Sequence, residues 1–208
     1  MHDEIAHPRF ASRGRTFVYV LPCRDEDLLK VGFSRDPLQR MRTLHPRYFE
    51  FFDLDRALLV ECDHLRDARR IERLFITSFA AERAPAPLVV PRAAAGHTEW
   101  YRGICPRVTA LARHESIASA LVLHAPLSDW LRDRFEASSE LLFDWSARML
   151  EMIEYERFNL PAQQRSGRAE KALSQVLDAY VALGIALPPR VPALVWTWYQ
   201  ARVALDFR

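Results

Sequence analysis

A glutamate set in an apolar stripe is the residue that most demands a chemical explanation. Residues 64–82 show helical periodicity, and Leu65, Ala68, Phe75 and Phe79 fall along one face. Glu72 lies within that stripe, four residues after Ala68 and three before Phe75. A carboxylate buried there without a partner costs on the order of several kcal/mol. A cation held against it removes that cost. The helix alone leaves other answers open: a salt bridge to Arg69 or Arg70, or a stripe edge that faces solvent or a cleft. A second pairing of residue types sits upstream. Tyr19 and Lys30 lie on consecutive strands of a predicted hairpin, and if they share a face, an ammonium next to a phenol lowers the phenol's pKa from about 10. That is one route to a tyrosine able to accept a proton at neutral pH. An amphipathic hairpin with an interfacial tyrosine and a solvated lysine is the alternative.

The elements that must carry these groups can be read in order. Residues 16–21 (TFVYVL) are β-branched and aromatic and predict a strand, ended by Pro22; 29–34 (LKVGFS) predict the return strand. Period-two alternation puts Lys30, Gly32 and Ser34 on one face. Gly32 leaves room for close approach of backbone or substrate. Asp36 followed by Pro37 marks a helix start, and that helix runs to about His45. Residues 57–62 predict a third strand, and Asp63 is the expected cap of the helix bearing Glu72. Past about residue 105 helical periodicity takes over, with helices expected near 107–123, 127–138, 140–158, 168–183 and 192–205. The expectation is an α+β fold: a small three-stranded antiparallel sheet flanked by helices over 1–105, then an all-helical domain over 106–208.

Composition narrows the function classes without choosing among them. The chain has 208 residues, half of them hydrophobic, enough for a core without disulfides or a structural metal. Cys23, Cys62 and Cys105 form neither a disulfide framework nor a metal-ligand spacing, and His64 beside Cys62 lacks a second pair. Buried thiols are expected. Basic and acidic residues number 18 and 15 over 1–110, and 11 and 12 over 111–208, so neither half is a basic domain. Arg66, Arg69, Arg70 and Arg73 form a basic run that reads as phosphate-tracking or as a solvated face. No apolar run is long enough to span a bilayer and no signal-peptide core opens the chain, so a cytoplasmic protein without a membrane partner is expected.

The ordered set of these elements resembles the GIY-YIG nuclease superfamily over about residues 16–102. VYV at 18–20 stands where that family has its first tripeptide, and KVG at 30–32 where it has the second. SRDPLQRMR supplies the helix arginine as Arg40, eight residues after Gly32, and ARRIERLF supplies the glutamate as Glu72. HTEWY at 97–101 looks like the Glu-Trp-aromatic ending of a phage-associated branch that also writes its second motif Lys-hydrophobic-Gly. The chain departs from the pattern at Val18, at Lys30 in place of tyrosine, and at Ile76, where that branch often has histidine. The resemblance implies hydrolysis of DNA phosphodiesters with Mg²⁺ (or Mn²⁺) on Glu72. It implies Tyr19 as general base aided by Lys30, and Arg40 on a non-bridging oxygen. Gly32, Ser34, Arg42 and His45 would then contact substrate, and Glu99 would be a cap or surface residue.

The helical half carries Trp130, Trp145, Trp196 and Trp198 with Phe135, Phe143 and Tyr155, expected as a bundle core. Targeting, regulation, homo-oligomerisation or a protein partner are its candidate roles. Two other functions stay open: a nucleic-acid-binding module that no longer cuts, and an adaptor built on the helical half.

Overall fold

A computed structural model describes residues 14–94 and 99–206. Strand β1 (Thr16–Pro22) and β2 (Leu28–Ser34) form the expected hairpin, with Tyr19 opposite Gly32 and Leu21 opposite Lys30. Helix α1 (Pro37–Leu44) starts as the sequence dictates: the Asp36 carboxylate accepts from the Gln39 amide at 2.9 Å, and Pro37 occupies the first turn. A short helix α2 (Tyr48–Phe51) leads to β3 (Leu58–Cys62), antiparallel to β1. Helix α3 (Leu65–Ser78) carries Glu72 and is followed by a 3₁₀ turn at Ala80–Glu82.

The sheet is wider than expected. Five antiparallel strands run in the order β4-β2-β1-β3-β5, with β4 at Trp100–Arg102 and β5 at Val122–His124. The expectation of three strands is corrected, because two three-residue strands close the edges on β2 and β3. Pieces so short show no alternation, and only their distant partners define them. The helix expected over 107–123 is α4, Cys105–Ala118. It stops where Ala120 turns to φ 51° and the Leu121 amide reaches back to the Ser116 carbonyl at 2.8 Å.

Alternation along the strands splits the sheet. Val18, Val20, Leu29, Val31, Leu58 and Val60 pack with Ala68, Ile71 and Phe75 of α3 and Val108 and Ala112 of α4. Burying Phe75 completely contributes about 1.5–3 kcal/mol. Tyr19, Leu21, Lys30 and Gly32 occupy the opposite face, where α1 buries Leu38, Met41 and Leu44. The core stripe of α3 is Ala68, Ile71, Phe75 and Phe79, whereas Leu65 is half-buried. Glu72 therefore lies on the flank of the stripe, not inside it. All three cysteines are buried free thiols, and burial raises Cys23 to about 12 and Cys62 to about 11.

The described chain divides into two compact units between Leu131 and Arg132. The sequence placed the joint at 105/106, but α4 begins there and inserts Val108 and Ala112 into the sheet's core. Helix α5 (Leu127–Ala137) starts in the first unit, its Leu127 amide on the Ala57 carbonyl at 2.9 Å. The second unit continues with α6 (Ser139–Asn159), α7 (Arg168–Ala182) and α8 (Ala193–Asp206). Phe135 packs edge-on against Tyr180 at 4.8 Å, and the Tyr180 hydroxyl donates to the Phe135 carbonyl at 2.9 Å. Trp145 and Phe135 are core as expected; Phe143 and Tyr155 are exposed, on the outward side of α6. Among the described residues no helix is long and apolar enough to cross a membrane.

Candidate active site

Tyr19 is held in place from two sides. Its ring lies across Gly32, so closely that a Cβ built on that glycine would stand 2.7 Å from Cζ and closer still to the hydroxyl. Arg40, half-buried on α1, donates from Nε to the Tyr19 oxygen at 3.2 Å. Position 40 falls outside the buried set of α1, so that helix offers the arginine to the phenol while Leu38 and Met41 hold the helix down. Gly32 was expected to leave room for substrate; the space it leaves is filled by the Tyr19 ring, and its role is to position that ring.

Burial decides the acidity of the phenol. Desolvation raises the Tyr19 pKa above its ordinary 10.0 and outweighs the lowering by Arg40's charge and hydrogen bond; Glu99 and Glu72 push it further up. The expectation that a cation would lower this pKa is corrected in both respects. The cation in contact is Arg40, and the net shift is upward.

Lys30 is fully buried, at 0% exposure, and its Nζ pairs with Glu99 Oε2 at 2.5 Å. It is one of only two lysines among 29 basic residues. Burial lowers its pKa, opposed by the hydrogen bond and charge of Glu99. The ammonium also lies 5.7 Å from the centroid of the Trp100 ring, its neighbour across the β2–β4 ladder. Glu99 sits just ahead of β4, where its carbonyl accepts the Val31 amide at 3.0 Å. Among the described residues β4 pairs with β2 over Leu28–Lys30. Glu99 was expected as a cap or surface residue. It is the counter-ion of the buried lysine, and a lysine amid near-exclusive use of arginine was the sequence signal that a special partner existed. His97 and Thr98 of the same motif lie outside the described residues.

Glu72 completes the set electrostatically. It is half-buried, and its carboxylate makes no hydrogen bond or ion pair within the described residues. Burial raises its pKa, Glu99 raises it further, and Lys30 and Arg69 pull it down. Although α3 covers the opposite face of the sheet from Tyr19, the charge of Glu72 acts on Tyr19 and on Lys30. A partly desolvated carboxylate that feels the charge of a second carboxylate is the donor chemistry that a hard divalent cation relieves. Glu72 and Glu99 fit such an ion; among the described residues no cluster of three or more His, Cys, Asp or Glu adds to them.

The remaining expected residues stand apart. Ser34 is bound into the turn before α1, its hydroxyl donating to the Asp36 carbonyl at 2.9 Å and accepting the Asp36 amide at 3.0 Å. His45 caps the far end of α1: its Nδ1 accepts the Arg47 amide at 3.2 Å and its ring stacks on Phe51 at 4.6 Å. Arg42 lies in the last turn of α1.

Tyr19 with Arg40 and Lys30 with Glu99 thus form two paired groups on a small antiparallel sheet, and the charge of Glu72 acts on both Tyr19 and Lys30. Residues 16–118 are similar to the T5orf172 domain family, a phage-associated, nuclease-like domain. The match starts at the first residue of β1, ends at the last of α4, and so contains all of these groups. No curated protein and no solved structure matches the chain.

Proposed function

We propose that the matched region is a metal-dependent endonuclease of the GIY-YIG type, hydrolysing phosphodiester bonds in DNA. The observation that supports this reading is a half-buried Glu72 carboxylate, without a hydrogen bond or ion pair among the described residues, whose charge acts on a buried lysine and on an arginine-bound phenol. Glu72 holds the cation, Mg²⁺ or Mn²⁺, with Glu99 beside it. The ion, when bound, supplies Lewis-acid polarisation of the scissile phosphate. Arg40 keeps the Tyr19 oxygen oriented and offers its other N–H groups to a non-bridging phosphate oxygen. The Tyr19 phenolate takes the proton of the attacking water as that water's oxygen bonds to phosphorus and the ester P–O bond breaks. Lys30, charged through its pairing with Glu99, offsets the negative charge that accumulates.

The test is cleavage of plasmid and single-stranded DNA with Mg²⁺, Mn²⁺ or chelator. Glu72→Gln is expected to reduce the rate by about 10²–10³-fold or more. Cutting that survives Glu72→Gln, or that persists in chelator, rejects the assignment. A second reading, a DNA-binding module without turnover, is favoured by one observation: the general base is buried and its pKa is raised. Binding without cutting at alkaline pH supports that reading. For the helical unit we propose targeting, regulation or self-association, which the exposed Leu141, Tyr155 and Phe158 on α6 support.

A further inference from the structure

Resting on the nuclease reading, we propose that the nucleic-acid strand reaching the Glu72 site runs along the outer face of α3, its phosphates on Arg66, Arg69 and Arg73. At about 100° per residue, Arg66, Arg69, Arg70 and Arg73 occupy an arc of roughly 100° centred opposite the Ala68–Ile71–Phe75 stripe. All four are exposed. Their roles divide by partner. Arg70 is a strut to α4, donating to Glu115 Oε2 at 2.9 Å and to the Ser119 hydroxyl at 2.8 Å. Arg66, 83% exposed, has only a loose 3.6 Å approach to Asp67. Arg69 and Arg73 make no ion pair among the described residues. Unneutralised guanidiniums on one face are the electrostatic footprint of a phosphate chain.

Two further observations tie this face to the site. Around the helix Glu72 lies between the core stripe and Arg69, and the Arg69 charge acts on the Glu72 carboxylate. A strand leaving the site on that flank meets Arg69 first. The same face also lines an open groove of 760 Å³, in which Leu65 and Leu74 provide apolar patches among the four arginines. From Arg66 to Arg73 the helix rises about 10 Å. The chain's net charge is only +2, so this concentration is local and not a by-product of a basic protein.

The experiment measures binding of a fluorescent single-stranded oligonucleotide and its duplex by anisotropy, in chelator, over a salt series. Omitting metal separates binding from cutting. Arg69→Ala/Arg73→Ala is expected to weaken binding at least about tenfold near 0.1 M salt. It should also reduce the slope of log K against log salt by about 1.4–1.8. Arg148→Ala, an exposed arginine on α6, should leave both unchanged. The proposal is overturned if the double variant binds as the parent does, or if Arg148→Ala causes an equal loss. Tighter capture of a labelled acidic peptide than of DNA, lost with the same arginines, assigns the face to a protein partner and also overturns it. If Glu72→Gln abolishes cutting while the double variant binds normally, the path fails and the nuclease reading stands. Failure of the parent to bind or cut either DNA removes both.

Discussion

Replacing Gly32 by alanine probes how the candidate site is assembled. The added methyl would lie 2.7 Å from Cζ of Tyr19 and closer still to its hydroxyl, against an ordinary contact of 3.4–4 Å. The ring must retreat by about 1 Å or more. Tyr19 is only 2% exposed, so the retreat strains a packed interior, and overpacking of this kind costs about 1–3 kcal/mol. At roughly 2–4 °C per kcal/mol for a chain of this size, the melting temperature falls by several degrees. The same shift stretches the 3.2 Å bond from Arg40, and a 1 Å misplacement of a reacting group costs about 10²-fold in rate. Thermal melting and a DNA-cleavage time course read the two effects. Tyr19→Phe removes the atom nearest the clash, so Gly32→Ala should destabilise the Tyr19→Phe variant less than it destabilises the parent. A Gly32→Ala protein that melts and cuts within twofold of the parent would refute the steric argument. So would equal destabilisation in both backgrounds.

Two further outcomes follow from the ionisable groups. With Tyr19 held above its ordinary value, the phenolate fraction grows about tenfold per pH unit, and the cleavage rate should climb past about pH 9; a plateau at neutral pH means another group takes the proton. Glu61, 8% exposed on β3, is raised by burial but lowered more by hydrogen bonds from His124 (2.7 Å) and Arg15, for a net shift below 4.5. Its stabilisation is complete above the ordinary carboxylate range and fades as pH falls through the lowered value. Glu61→Gln should cost about 1–3 kcal/mol and flatten the acid limb of melting temperature against pH; an unchanged limb contradicts the assignment.

What the sequence made legible was whatever is encoded locally. The 16–22 and 28–34 strands announce themselves by alternation, and the Asp36–Pro37 start of α1 by its capping chemistry. Glu72 stood out because a carboxylate beside an apolar stripe is rare enough to notice, though its place on the flank required the true stripe through Ile71. The misses are long-range. Lys30 read equally well as solvated, because the residue that makes its burial tolerable, Glu99, lies 69 positions away. Gly32 showed its openness but not what fills it. β5 was absorbed into a helix prediction, since VLH alone carries no period and only its pairing with Leu59–Glu61 makes it a strand. The same omission put the joint before α4 rather than after Leu131.

The order of strands in space also sets an order in time. β1, β2 and β3 are neighbours early in the chain, whereas the strips that close the two flanks arrive only at Trp100 and Val122. During synthesis the β2 and β3 margins present unsatisfied amides and carbonyls until those strips emerge, the interval in which a nascent chain is most apt to pair with the wrong neighbour.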